Sequence, residues 1–178
     1  MGKIRKILPV KLIIGFIFKE ESILKKGETL LKKYYGEVDF ESQILDFIHS
    51  NYYEEEFGKG LKRKFISFKK LIPPQKLSKI KITANQIENK LSKGQHRLVN
   101  IDPGYLDMAK LVLASTKDYY HRIYLDKGIF AEVTLFYRGK TFTPWEWTYP
   151  DYKTPEYTAI FNAIRENYST QVKKIALR

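Results

Sequence analysis

Residues 9–18 are apolar at nearly every position and rich in Val and Ile. A strand buried on both faces has this pattern, so a central strand is predicted. The next segment changes period. Ile23, Leu24, Gly27, Leu30, Leu31 and Tyr34 recur at helical spacing, with Glu20 and Glu21 before them and Lys32 and Lys33 at the end. Those charges suit the helix dipole, and Gly36 is a good stop. Residues 38–47 read as extended, with Val38 and Phe40 alternating against Asp39 and Glu41, and the alternation slips near Ile44-Leu45. Residues 51–60 form a polar connector holding Tyr52-Tyr53 and Glu54-Glu55-Glu56, and residues 61–72 a further strand. Pro73-Pro74 signals another helix start, and Leu77, Ile80, Ala84, Ile87 and Leu91 make its apolar stripe, ended by Gly94. Residues 97–101 read as a short strand.

This order is strand, helix, strand, strand, helix, strand. It is the order of a ferredoxin-like split βαβ core. Asp102-Pro103-Gly104 then reads as a turn or helix start, and residues 105–115 fit a helix or a strand. Residues 119–125 and 129–137 form the clearest hairpin, turning at Asp126-Lys127-Gly128, with a further strand over residues 141–147. A last helix starts at Thr154-Pro155 and turns Tyr157, Ile160, Phe161, Ile164 and Tyr168 inward. The expected fold is therefore α+β: a ferredoxin-like core extended by a C-terminal β-hairpin and a terminal helix. The absence of repeats and low-complexity linkers fits one domain over residues 1–178.

Composition supports a globular chain. Of 178 residues, 43% are apolar and 29% charged, enough to build a core without staples. The chain has no cysteine, which excludes disulfides, thiolate nucleophiles, iron–sulfur clusters and Cys-based zinc sites. His49, His96 and His121 match no metal-ligand spacing. The basic start followed by an apolar run resembles a secretory signal. However, Pro9 and Lys11 interrupt the run, and Lys19-Glu20-Glu21 follows where a small-residue cleavage site would stand. The run is too short to span a bilayer, and no other membrane segment is predicted.

Charge changes the picture more. Lys plus Arg number 32 against 20 acids, a formal charge of +12. Such a field favours anionic partners, while the plainer reading is a solvated, Lys-rich surface. Residues 57–87 hold Lys59, Lys62, Arg63, Lys64, Lys69, Lys70, Lys76, Lys79 and Lys81 and no acid. Phe65 and Phe68 interleave with them, as in sheets that stack bases beside a phosphate-binding rim. The same pattern also fits core phenylalanines under a solvated rim.

Three further clusters can carry chemistry. In the hairpin, a three-residue loop pairs Leu125 with Ile129, sets Arg122 opposite Glu132 and Tyr120 opposite Thr134, and leaves His121 on the apolar face with Ile123 and Val133. The polar face, with Tyr120, Arg122, Tyr124, Glu132 and Thr134, is either a cross-strand ion pair or the floor of a site. His121 is either a hydrogen-bonded core histidine or a general base. Ser115-Thr116-Lys117-Asp118 offers two hydroxyls and an amine for phosphate, without a P-loop or a G-x-G-x-x-G. Among carboxylates, Asp102, Asp107, Asp118, Glu132 and Asp151 lie in or near connections. A pair of them could do acid–base work or hold Mg²⁺, though their spacing requires neither.

Several segments resemble one known family. They include Val38-Asp39-Phe40-Glu41-Ser42, Val99-Asn100-Ile101-Asp102-Pro103-Gly104-Tyr105-Leu106 and Lys110-Leu111-Val112-Leu113-Ala114-Ser115-Thr116-Lys117-Asp118. His121-Arg122-Ile123-Tyr124-Leu125, Ala131-Glu132-Val133-Thr134-Leu135 and Thr148-Tyr149-Pro150-Asp151-Tyr152 continue the match. Together they resemble the prokaryotic family catalogued as domain of unknown function 4416, most specifically over residues 100–135. Phe57 departs from the Met expected there. The resemblance implies a stand-alone cytoplasmic domain and carries over neither an activity nor a site residue.

Three functions are thus expected from the residues. One is binding of nucleic acid, RNA above all, or another polyanion, with Lys62, Arg63, Lys64, Lys69 and Lys70 on phosphate and Tyr120, Arg122 and Tyr124 stacking or making polar contacts. A second is an enzyme on a phosphorylated small molecule or nucleotide. There Ser115, Thr116, Lys117 and Arg122 hold phosphate, and His121, Asp118 or Glu132 moves protons. A third is a partner-binding subunit with Trp145, Trp147 and Tyr149 as its contact patch. No particular cofactor follows from the sequence.

Overall fold

A computed structural model describes residues 2–3, 7–48, 53–94 and 96–176. His49, Tyr52 and, in the basic N-terminal run, Met1 and residues 4–6 lie outside the described residues. In chain order the elements are β1 (Lys11–Phe18), α1 (Glu21–Tyr35), β2 (Val38–Glu41), β3 (Leu45–Asp46), α2 (Glu54–Phe57), β4 (Lys62–Phe68) and α3 (Leu77–Lys90). They continue with β5 (Val99–Leu106), β6 (Lys110–Ser115), β7 (Ile123–Asp126), β8 (Ile129–Arg138), β9 (Thr141–Pro144) and α4 (Pro155–Ala176). The class is α+β, as the sequence predicts. One large antiparallel sheet runs β2-β4-β1-β5-β6-β8-β7, with β3 beside β4 and β9 beside β8.

The central strand is β1, every residue of which is buried. Its side chains alternate between two cores because successive Cβ atoms point to opposite faces. Leu12, Ile14, Phe16 and Phe18 meet Ile23, Leu24 and Leu31 of α1 and Ile80, Ala84 and Ile87 of α3. Ile13 faces the other way and joins Phe65, Leu106, Leu111 and Leu135 under Tyr157, Phe161, Ile164 and Tyr168 of α4. Helices therefore cover both faces of the sheet. The stop at Gly36 and the cap at Thr154 hold, whereas α3 ends at Lys90 with Leu91 as its cap, short of the predicted Gly94. Gly36 ends α1 at φ +86°, its N–H donating to Lys32 O at 2.9 Å, and the Thr154 hydroxyl accepts from the Tyr157 N–H at 3.3 Å at the start of α4. Among the described residues no helix is long and apolar enough to cross a membrane.

Two expectations are corrected and one open reading is decided. Asp102-Pro103-Gly104 is neither a turn nor a helix start. It lies inside β5, which reaches Leu106 rather than ending at residue 101. The ambiguous stretch that follows is the end of β5, a tight turn closed by Asp107, and strand β6. Residues 38–47 are not one strand: pairing with β4 breaks between β2 and β3, where Ser42 Oγ accepts from the Phe65 N–H at 2.9 Å.

The hairpin is also shorter than predicted. Ile123 does face Ala131 and Tyr124 faces Phe130, but a bulge at Leu125 brings Asp126 opposite Ile129. The turn is then Lys127-Gly128, both left-handed at φ 52° and 75°. Such a two-residue turn matches the twist of the strands. Upstream, residues 119–122 form a turn, the Arg122 N–H donating to Tyr119 O at 2.9 Å. Tyr120 is therefore not paired opposite Thr134, and His121 leaves the apolar face.

Candidate functional site

The sheet forks between β5 and β6. Their ladder covers only Leu106↔Leu111, Tyr105↔Val112 and Gly104↔Leu113. Beyond it β5 runs on along β1 to Val99, while β6 runs on along β8 to Ser115. Local sequence explains the split. Pro103, the next residue of β5, has no N–H to donate. Gly104 marks the last point of close approach, since a Cβ there would lie 2.5 Å from Val112 O. The fork opens into a cleft of about 590 Å³. Its wall takes Asn100 and Asp102 from one prong and Leu113, Ala114 and Ser115 from the other. Lys81, Asn85 and Glu88 come from α3, and Arg63 and Tyr152 from the opposite face.

Arg63 is the most deeply placed charge in this wall, with 1% of its side chain exposed. Gly15 makes room for it: a Cβ there would sit 3.3 Å from Nη2. The guanidinium lies 4.7 Å from the centre of the Phe65 ring and donates from Nη2 to Tyr152 Oη at 2.5 Å. Two carboxylates stand further off, Asp102 at 3.6 Å from Nη1 and Asp151 at 3.8 Å from Nη2. Nε has no partner among the described residues. Burial pulls the Arg63 pKa down, but Tyr152, Asp151, Tyr157 and Asp102 together outweigh it and raise the pKa, so the group stays charged.

The carboxyls around it differ. Asp102 accepts from Asn100 Nδ2 at 2.6 Å and lies 3.5 Å from Lys81 Nζ, which itself donates to Ile101 O at 3.0 Å. Burial raises the pKa of Asp151 against the opposing pull of Arg63. Burial likewise raises that of Glu88, which accepts from the Ile101 N–H at 2.6 Å and from Arg97 Nη1 at 3.1 Å. Arg97 also grips Glu56 with two bonds of 2.6 Å, tying α2 to the wall.

A second arginine lines the same cleft in a different state. Arg122 donates from Nε to Glu132 at 2.9 Å, from Nη1 to Ser115 Oγ at 2.9 Å and Lys117 O at 3.0 Å, and from Nη2 to Tyr149 Oη at 2.9 Å, and Nη2 also lies 2.9 Å from Glu132 as an ion pair. A guanidinium has five N–H donors, and four of them are hydrogen-bonded here, with every nitrogen engaged. Burial lowers the Arg122 pKa, but the Glu132 and Tyr149 contacts more than offset this and raise it. Glu132 further lies 3.0 Å from His121 Nε2 and accepts from Thr134 Oγ1 at 3.2 Å.

The family now follows. The family model described as domain of unknown function (DUF4416) matches residues 8–168. The chain belongs to this family. No curated protein and no solved structure matches it. The matched span includes every wall residue named above.

Of the residues singled out in the sequence, the fold brings Arg63, Ser115, Thr116, Lys117, Arg122 and Glu132 into one cleft. His121 touches Glu132 from behind, stacked on Trp147 at 5.6 Å, and Asp118 is not part of the wall. Lys62 and Lys64 turn away, to Glu21 at 3.2 Å and to Glu28 and Glu41 at 2.7 and 2.8 Å, and Lys69 pairs with Glu37 at 2.9 Å. Phe65 and Phe68 are buried core, so they cannot stack on bases. Tyr120 and Tyr124 point to solvent, 87% and 58% exposed. Trp147 donates to Val133 O at 3.2 Å and stacks on Trp145 at 5.1 Å, with Trp145 at the surface.

Sequence reasoning missed Lys81, Glu88, Asn100 and Tyr152 as wall residues, and it placed Asp102 and Asp151 only among connection carboxylates. The available signal was Asn100 and Asp102, two polar residues one strand period apart between Val99, Ile101 and Leu106.

Proposed function

We propose that the protein binds a small phosphorylated molecule in the fork cleft and acts on it by proton transfer. One observation carries this reading. Arg63 is almost fully buried in the cleft wall and has one hydrogen bond among the described residues, with its carboxylate neighbours beyond hydrogen-bond length. Buried donors without partners are costly, and a ligand group would satisfy them. The volume suits a small molecule. The wall carries Arg63, Lys81, Arg97, Lys117 and Arg122 against Glu88, Asp102, Glu132 and Asp151, a surplus of positive charge that favours an anion. Ser115, Thr116 and Lys117 supply hydroxyls and an ammonium group at the β6 side for phosphate. Arg122 and Glu132 hold that rim in shape rather than touching the ligand. A cytoplasmic setting, implied by the family resemblance, belongs to the same reading. So does a ferredoxin-like core over β1 to β5, supported by the antiparallel order β2-β4-β1-β5.

Thermal shift with a panel of sugar phosphates, nucleotides and phosphorylated acids tests the proposal. Stabilisation by a subset of them, lost in Arg63→Met, is expected. A panel with no effect on the wild type at millimolar concentration sinks it. The nucleic-acid reading keeps one support, the exposed rings of Tyr120 and Tyr124 near Lys117 and Lys127. It predicts salt-sensitive binding of a single-stranded RNA oligomer that weakens in Tyr120→Ala.

A further inference from the structure

Asp102 and Asp151 reach the same guanidinium from different parts of the chain. Asp102 comes from β5 and lies 3.6 Å from Nη1, while Asp151 comes from the short 3-10 turn before α4 and lies 3.8 Å from Nη2. Both line the cleft. Neither is within hydrogen-bond length of Arg63, and the Asp102 oxygen that faces it, Oδ2, accepts from Asn100. Their other neighbours set them apart. Asp102 has a donor in Asn100, a second cation in Lys81 and 24% of its side chain exposed. Asp151 has Arg63 as its one cation within salt-bridge range among the described residues and 10% of its side chain exposed.

We propose that Asp102 and Asp151 form the acid–base pair of this cleft, Asp102 as the base and Asp151 as the acid, with Arg63 positioning both. The proposal rests on the reading that a substrate occupies the cleft. Two carboxyls in unlike surroundings take opposite roles because the environments separate their proton affinities. Burial, which raises the pKa of Asp151, acts in the required direction. In one turnover Asp102 accepts a proton from a substrate C–H or O–H, and Asp151 gives its proton to a substrate oxygen. One proton is taken and one given, so the charge of the pair is conserved. The substrate class is a phosphorylated compound with a hydroxyl or carbonyl group that such a transfer isomerises or dehydrates. The charged and titratable groups facing the pair are Arg63 from β4, Lys81 and Glu88 from α3, Tyr53 beside α2, Tyr152 next to Asp151, and Tyr157 from α4.

The test uses nitrophenyl glycidyl ether, an epoxide that needs both a carboxylate and an acid. The Asp102 carboxylate attacks a ring carbon and the carbon–oxygen bond breaks. Asp151 protonates the departing oxygen, leaving an ester and a hydroxyl. Peptide mass spectrometry on the full chain is expected to place the label on Asp102. Asp151→Asn should slow labelling about 100-fold, the scale of general acid assistance, and Asp102→Asn should abolish it. The wild-type rate should rise and then fall with pH, which keeps the proposal open to refutation if a variant does not fold. No label on Asp102, an unchanged rate in Asp151→Asn, or a rate that only rises with pH overturns the pair. If the phosphorylated panel still binds, the failure belongs to the pair and not to the ligand site. If labelling behaves as expected but nothing in the panel binds, the failure belongs to the ligand reading.

Discussion

Arg63 and Arg122 lie in the wall of the same cleft, and both are buried, yet their surroundings differ. Arg122 makes four hydrogen bonds, to Glu132, Ser115, Lys117 and Tyr149, and uses all three of its nitrogens. Among the described residues Arg63 has one hydrogen bond, with two carboxylates at 3.6 and 3.8 Å. A buried charge hydrogen-bonded through every nitrogen is part of the architecture. A buried charge with unmatched donors next to open volume is prepared for something else. The contrast teaches that burial alone does not mark a site. The count of unused donors does.

The largest expected effect lies on the saturated side. Glu132→Ala removes the carboxylate that holds both Arg122 and His121 and leaves a charge buried. It should cost about 3–5 kcal/mol in chemical denaturation. A loss below about 1 kcal/mol would mean that the two arginines are alike after all. Gly104→Ala comes next. Its Cβ would sit 2.5 Å from a backbone oxygen of β6. Forcing the prongs apart should cost about 1–3 kcal/mol, read as a lower denaturation midpoint.

The third prediction concerns the unsaturated side. Because the folded-state pKa of Asp151 is raised, its contribution to stability is fully present below the ordinary value of 3.8 and is lost as pH rises through the folded value. Asp151→Asn should therefore be the more stable protein at neutral pH, with the gap closing as pH falls through the raised folded value toward about 4. A gap that widens on acidification contradicts the assignment of burial as the dominant influence. The smallest effect is expected outside the cleft. Lys62→Ala breaks an exposed pair with Glu21 and should change stability by about 0.5 kcal/mol or less, within the range of surface ion pairs.

Much of the fold is legible in the residues. The two-faced apolar run of β1, the stripes of α1 and α3 and the cap at Thr154 each specify an element locally. The fork is not legible in that way. Asp102-Pro103-Gly104 carries the composition of a turn, and only the long-range pairing of β5 with β1 keeps it extended. With β5 cut short, Asn100 and Asp102 did not register as one polar face of a strand. The charge block shows the same limit. Lys62, Arg63 and Lys64 are indistinguishable in sequence, but strand alternation turns the two lysines toward acids near α1 and places Arg63 alone under Tyr152. Likewise the pairing of Arg122 with Glu132 was readable from the hairpin register, whereas the saturation of Arg122 depends on Ser115 and Tyr149, contacts no local pattern encodes.

The central claim is that the cleft around Arg63 holds a small ligand. Equilibrium dialysis of the wild-type protein and Arg63→Met against a small-molecule cell extract tests it most directly, with mass spectrometry of the retained compounds. The account predicts one or a few phosphorylated compounds enriched on the wild type and absent from Arg63→Met, while Lys62→Ala retains them. Equal retention by wild type and Arg63→Met, or no enrichment on either, would contradict it.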